Sequence, residues 1–333
     1  MIKSIVATAR GAAKDVLRVE QIDAPVPMAG EVCVQVKAVG VNPSDVKLRV
    51  GAQGPMVADQ VAIHNDGAGV ITAVGDGVDP ARVGQHVWLY QVNRTDDGMG
   101  QGLRGTAAEV TCVPSAEAVA MPQTVDFELA ACLGVPAMTA HRALFCFGDV
   151  AGQTVLVTGG AGSVGELAVQ MAADAGATVI TTVSSDEKAE IAKAAGAAHI
   201  INYRTEDLEQ RLIEIAGQNG LDHVVDVDFA AHIGLTPQVL RRNGTIAAYA
   251  SGSNLTPTIP YGPVMFNNTG LQLVFVYGMP QPAKDAAIAH ITDMLERNAL
   301  RPTIAARFAL EDVVSAHEAV EAGQLLGNAV LTV

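Results

Sequence analysis

The sequence predicts an α/β protein in which a mainly β, barrel-like region precedes a doubly wound parallel sheet. Three observations carry this expectation. The glycine run Gly160-Ala161-Gly162-Ser163-Val164-Gly165 falls between an apolar strand candidate and a helix candidate. From Thr154 onward, six short apolar runs alternate with segments of helical spacing. Over the first 120 residues, short apolar runs instead alternate with turn residues. Strands interleaved with helices favour a parallel sheet, whereas short strands separated by turns favour a barrel or sandwich.

In chain order, residues 32–39, 67–74 and 86–89 read as strands, punctuated by Gly30, Gly40, Gly51, Gly75, Gly77 and Pro80. Residues 93–105 form a polar, glycine-rich loop suited to a rim or lid. Residues 127–133 and 139–145 have helical spacing. The parallel-sheet strands are expected at 154–158, 178–183, 199–201, 223–227, 245–250 and 272–276. Helices are expected at 164–175, 186–195, 205–216, 233–240 and 282–297. The apolar end, residues 329–333, reads as a strand that can return to the first domain.

Each glycine of the run has its own mechanical role. The first makes the turn, the second lets backbone approach a pyrophosphate, and the third packs helix on strand. Gly160, Gly162, Ser163, Val164 and Gly165 are therefore candidate cofactor contacts, with phosphate at the helix N-terminus. An NAD site would carry an acid about 20 residues on. Here the second strand ends in Ser184-Ser185, with Lys188 on the next helix and Tyr203 after the third strand. Hydroxyls and an ammonium suit a ribose 2′-phosphate, so the expected cofactor is NADPH. The same serines also read as a helix cap ahead of Asp186 and Glu187, either of which could approach the ribose.

Composition narrows the function classes. Of 333 residues, 49% are hydrophobic and 17% charged, enough for two domains with large cores. The formal net charge of −14 disfavours nucleic-acid phosphates and anionic membranes as partners. No apolar run reaches the roughly 18 residues of a spanning helix, and the first residues lack a secretory core, so a reducing cytoplasm is the expectation. Cys33, Cys112, Cys132 and Cys146 are scattered; they are read as small buried side chains, without a disulfide framework or a zinc lobe.

Several segments in order resemble the medium-chain dehydrogenase/reductase superfamily, and within it the zeta-crystallin-like NADPH:quinone oxidoreductases. Gly40-Val41-Asn42-Pro43-Ser44-Asp45 with Arg49-Val50-Gly51 is similar to its GVNPxD…RxG segment. Asp66-Gly67-Ala68-Gly69-Val70-Ile71 with Val74-Gly75 is similar to DxAGxV…VG, and Gly105-Thr106-Ala107-Ala108-Glu109 to GxxAE. Gly84-Gln85-His86-Val87 stands for GDRV, and the segment from Gly134 to Arg142 for GIPxxTAxR. The glycine turn, Ile201-Asn202-Tyr203 and Gly327-Asn328-Ala329-Val330-Leu331 also fit.

The resemblance implies a GroES-like catalytic domain from residues 1–122 and 298–333 around a Rossmann NADPH-binding domain at 123–297. It implies that Asn42 and Thr139 lie near the nicotinamide, with Asn42 able to hydrogen-bond an acceptor carbonyl or simply its own turn. It makes Phe275, Val276 and Tyr277 a possible nicotinamide wall, sheet core or dimer contact, and places Asn328 near the cofactor. Lys47 replaces a pocket tyrosine and either meets the acceptor or faces solvent. Gly323 replaces an arginine that holds the 2′-phosphate in some relatives. The zinc enzymes' cysteine falls at Pro43, their His-Glu pair at Asn65-Asp66 beside His64, and their four-cysteine lobe at the cysteine-free segment 91–104. No metal is expected, because three protein ligands are not supplied. Without a Lewis acid, the accessible chemistry is hydride transfer from NADPH to a quinone or an α,β-unsaturated carbonyl. An enoyl-type reductase, a non-catalytic crystallin-like nucleotide- or RNA-binding protein and a zinc alcohol dehydrogenase are the rival readings. Pairing of the sixth Rossmann strand across a homodimer completes the expectation.

Overall fold

A computed structural model describes residues 1–95 and 97–333. The chain divides into two units, Met1–Val135 with Thr292–Arg297 and Arg301–Val333, and Pro136–Ile291 with Asn298–Leu300.

The first unit begins with strands β1 (Ile2–Ala7), β2 (Leu17–Ile22), β3 (Glu31–Val41), β4 (Val61–Ala62), β5 (Asp66–Val74), β6 (His86–Leu89), β7 (Val110–Pro114) and β8 (Ala118–Ala120). The second unit holds β9 (Thr154–Val157), β10 (Thr178–Val183), β11 (His199–Asn202), β12 (Leu221–Asp226), β13 (Leu240–Ala248) and β14 (Gly270–Leu273). The chain closes with β15 (Ile304–Ala309) and β16 (Asn328–Thr332), which belong to the first unit.

In the first unit β1 lies between β2 and β4, and a larger sheet runs β15-β16-β3-β5-β6-β8, with β7 also on β3. The final strand β16 is antiparallel to β3, with Ala329 opposite Val41. It therefore enters the same core as residues from the chain start, where Ile5, Val36, Val39, Leu310 and Leu331 pack together. β1, β2, β4, β7, β8 and β15 are not among the strands the sequence predicts.

Cys33 and Cys112 stand opposite each other in the β3–β7 register and are joined as a disulfide, with Cα atoms 4.1 Å apart. This corrects the reading of four isolated cysteines; the pairing comes from strand register across 79 residues and leaves no trace in spacing. The loop 93–105 is held by the Asn93 amide, whose two Nδ2 hydrogens are shared among the Ala62, Gly102 and Arg104 carbonyls. Within that loop Asp96 lies outside the described residues.

In the second unit the sheet is parallel throughout, in the order β11-β10-β9-β12-β13-β14. Order reversal beside β9 creates the crevice at the strands' carboxyl ends where such sheets bind ligands. Helix Ser163–Asp174 follows β9, and helix Asp186–Ala194 follows β10. The next helix starts at Leu208 rather than Thr205, because Asp207 accepts the Gln210 N–H as its cap, 3.1 Å away. The helix expected at 233–240 is instead two single turns, Phe229–His232 and Thr236–Val239, with Pro237 opening the second. The sixth strand ends at Leu273, and Val276–Gly278 is a 3-10 turn, so Phe275, Val276 and Tyr277 lie beyond the strand expected to hold them.

Candidate functional site

Two clusters carry the candidate site residues, one in each unit. In the second unit the glycine turn sits between β9 and helix Ser163–Asp174. Gly159, with φ of 71°, makes the reversal, a role expected of Gly160 from the sequence. Gly160 is required for another reason: a Cβ there would run into the Thr181 hydroxyl. A Cβ on Gly165 would strike the Gly159 carbonyl, so the third glycine brings helix and turn into contact. Gly162 caps the helix and is exposed; a Cβ would meet only the Gly159 carbonyl, at 3.4 Å. The middle of the turn is thus open to a ligand while both ends are packed. The helix begins at Ser163, so the positive end of its dipole favours an anion there.

At the end of β10, Lys188 Nζ donates to Ser184 Oγ at 3.0 Å, while Ser185 Oγ accepts the Lys188 N–H at 3.3 Å. Ser185 is therefore the helix cap, and the Ser184–Lys188 pair is the polar group left beside it. Tyr203 donates its N–H to the Val183 carbonyl at 3.1 Å, which brings the exposed phenol to the same strand end. A 2′-phosphate fits this donor set: one ammonium and two or three hydroxyls, with no carboxylate bonded to them among the contacts described. Thr139 is buried inside helix Val135–Phe145. Phe275 is exposed and stacks edge-on against buried Tyr277, with ring centroids 5.4 Å apart.

In the first unit Asn42 caps helix Pro43–Arg49 and forms a capping box with Asp45. Its backbone N–H donates to Asp45 Oδ2 at 2.9 Å, and its side-chain Nδ2 donates to Asp66 Oδ2 at 2.8 Å. Asn65 Nδ2 donates to Asp45 Oδ1 at 3.0 Å. Since Asn65 and Asp66 are neighbours in the chain, these four buried residues form a closed ring. One of the two N–H groups of the Asn42 amide is committed to Asp66, which leaves one. Burial first, and the Asp45 charge second, raise the Asp66 carboxyl well above the usual carboxylate range. Burial likewise raises Asp45, opposed by its bonds from Asn42 and Asn65 and by the facing His317 and Arg94.

Lys47 is exposed on the same helix. Arg49, on the buried face, donates to the Gly11 carbonyl and pairs with Glu321 at 2.6 Å. Asn328 lies one residue beyond the Val41–Ala329 pair, next to Asn42 in register, but its Nδ2 donates to the Thr303 carbonyl at 3.0 Å. This bond ties β16 to the segment before β15.

Asp45, Asp66 and His64 are not recognisable as a site from the sequence. His64 Nε2 meets His317 Nε2 at 2.8 Å, and burial pushes both imidazoles down to about 3. His64 adopts φ of 75°, a strained conformation for a residue with a side chain. Among the described residues no group of three or more His, Cys, Asp and Glu side chains is arranged to hold a metal ion. No helix among the described residues is long and apolar enough to cross a membrane.

Residues 28–123 match the alcohol dehydrogenase GroES-like domain family, and residues 163–293 match the zinc-binding dehydrogenase family. The human quinone oxidoreductase is 27% identical over 89% of this chain and 87% of its own. A Burkholderia 2-haloacrylate reductase is 28% identical over 94% of this chain and 93% of its own. The structure of a mycobacterial quinone oxidoreductase superposes with a TM-score of 0.85 at 28% identity, covering 100% of both chains. That protein has also been solved in complex with NADPH.

Proposed function

The chain belongs to the medium-chain dehydrogenase/reductase family, in its quinone oxidoreductase branch, and from that premise we propose that it is an NADPH-dependent quinone reductase that works without zinc. The observation that carries the reading is the open glycine turn with the Ser184–Lys188 pair at the adjoining strand end. Gly162 and the N–H groups of the following helix bind the pyrophosphate. Ser184, Lys188 and Tyr203 hold the 2′-phosphate. Thr139 and the Phe275–Tyr277 segment border the nicotinamide. NADPH supplies a hydride to the quinone, and a proton from water completes the hydroquinone. Asn42 orients the acceptor carbonyl through an amide N–H.

Zinc independence is supported by donor chemistry. The positions the zinc enzymes use are here Pro43 and Asn65-Asp66, and Asp66 is engaged by Asn42 and by the Val135 N–H. The region matching the zinc-binding dehydrogenase family, residues 163–293, contains none of those positions.

A homodimer is part of the same proposal. β14 ends the sheet order, and beside it Tyr261, Phe266 and Leu273 are exposed by 74%, 71% and 61%. Apolar residues this exposed next to an unpaired strand edge suit a second copy. Light scattering after gel filtration should give twice the chain mass, and a monomer at micromolar concentration would remove this part. A cytoplasmic location stays part of the proposal although the Cys33–Cys112 disulfide points to an oxidising compartment, and thiol titration of denatured protein decides between them. Four reactive thiols match a reducing compartment, whereas two match the Cys33–Cys112 disulfide.

The Burkholderia relative favours a second reading, reduction of an activated carbon–carbon double bond. Steady-state rates with NADPH and either 9,10-phenanthrenequinone or a 2-enal separate the two. The quinone reading expects the higher kcat/KM with the quinone.

A further inference from the structure

We propose that Asp66 is a positioning residue: its carboxyl, anchored by the Val135 N–H, fixes the Asn42 amide so that the remaining N–H points in one direction. This rests on the reading that Asn42 meets the acceptor.

Asp66 is held at one carboxyl oxygen and at its backbone carbonyl, while Oδ1 is buried without a partner. Its Oδ2 accepts the Val135 N–H at 2.7 Å and the Asn42 Nδ2–H at 2.8 Å. Its backbone carbonyl accepts from Thr106 Oγ1 at 2.7 Å. The side chain is fully buried, and glycines make room for it. A Cβ on Gly134 would run into Asp66 Oδ1, and a Cβ on Gly40 would come within 3.2 Å of Asp66 Cβ while striking the Ala131 carbonyl. Asp45 holds the other end of Asn42 by its backbone N–H. Asn42 is thus gripped at main chain and side chain by two different acids, and neither amide rotation nor helix fraying is free. A buried carboxyl with nothing to position would be a costly group to retain at the head of a helix cap. A preset hydrogen-bond direction lowers the reorganisation needed when an acceptor carbonyl gains negative charge. Asp66 does not itself touch the acceptor in this scheme; it acts through Asn42.

The test combines variants with a direct probe of Asn42. Asp66→Asn retains an oxygen able to accept both N–H groups, whereas Asp66→Ala removes it. Asp66→Ala should lower kcat at least tenfold while leaving the NADPH Kd within twofold, and Asp66→Asn should restore kcat to within threefold of the native enzyme. In an Asn42→Ala background, adding Asp66→Ala should change kcat less than twofold, since the two residues act as one unit. In protein labelled with ¹⁵N-asparagine, the Asn42 side-chain amide should exchange slowly in native protein and Asp66→Asn, and fast in Asp66→Ala. Full kcat in a folded Asp66→Ala variant, or equal losses in both backgrounds, overturns the proposal. If Asn42→Ala alone keeps full activity, the placement of Asn42 at the acceptor fails. The amide exchange then decides separately: fast exchange in Asp66→Ala keeps the positioning role, and unchanged exchange overturns it.

Discussion

The two clusters are built on opposite principles. The glycine turn is backbone, open in the middle and closed by the absence of side chains at Gly160 and Gly165. The ring around Asn42 is side chain, fully buried and interlocked through Asp45, Asn65 and Asp66. A backbone cradle accommodates a ligand that brings its own charges. A side-chain ring sets one direction and tolerates no slack. The difference also separates how each can fail: the turn should lose affinity before stability, and the ring should lose stability and turnover together.

Acid should strain both units, through His64 and His317 in the first and His141 and His223, each pushed down to about 4 by burial, in the second. His64 and His317 are neutral in the fold at about 3, against 6.5 in the unfolded chain. Below pH 6.5 the unfolded chain takes up protons that the fold refuses, so stability falls from there down toward pH 3. At pH 5 the loss is about 2 kcal/mol for each imidazole. Urea midpoints at pH 7 and pH 5 measure it, and His317→Asn should flatten the slope. Next in size is Gly134→Ala, whose Cβ would enter the Asp66 carboxyl. Overpacking of this kind costs about 1–3 kcal/mol, and kcat should fall with it. An unchanged melting temperature would show that the ring has slack.

Gly162→Ala sharpens the comparison from the other side. With only the Gly159 carbonyl at contact distance, folding should be nearly unaffected. NADPH affinity by fluorescence titration should nonetheless drop roughly tenfold, or about 1.4 kcal/mol, as backbone and pyrophosphate separate. A variant that binds NADPH normally would remove the turn from the site. Lys188→Ala should weaken NADPH several-fold while leaving NADH unchanged, because only the former carries the 2′-phosphate. Equal effects on both cofactors would reduce Lys188 to a helix residue. Smallest of all, Lys47→Ala should leave kcat within twofold, given its exposed place on helix Pro43–Arg49.

The same contrast explains what is legible in the sequence. The glycine turn is local: strand, turn and helix follow within Thr154 to Asp174, so spacing alone locates it. The ring is closed by contacts 20 and 24 residues apart, its Val135 anchor lies 69 residues from Asp66, and the histidine pair joins residues 253 apart. Asn42 is found through the resemblance, but its partner is not, because Asp66 looks like a displaced metal position. Gly40 and Gly134 are the traces that point to it, as small residues clearing space for one buried carboxyl. The sixth strand is expected to end three residues late because apolar Val274, Phe275 and Val276 continue the pattern past Leu273, the last residue in register with β13.

The most direct test of the functional reading is steady-state NADPH oxidation by the purified protein, with 9,10-phenanthrenequinone and a 2-enal compared at equal concentrations. Turnover with the quinone should show a higher kcat/KM than with the enal, and NADPH should be strongly preferred over NADH. No quinone turnover, or equal use of NADH, would contradict the reading.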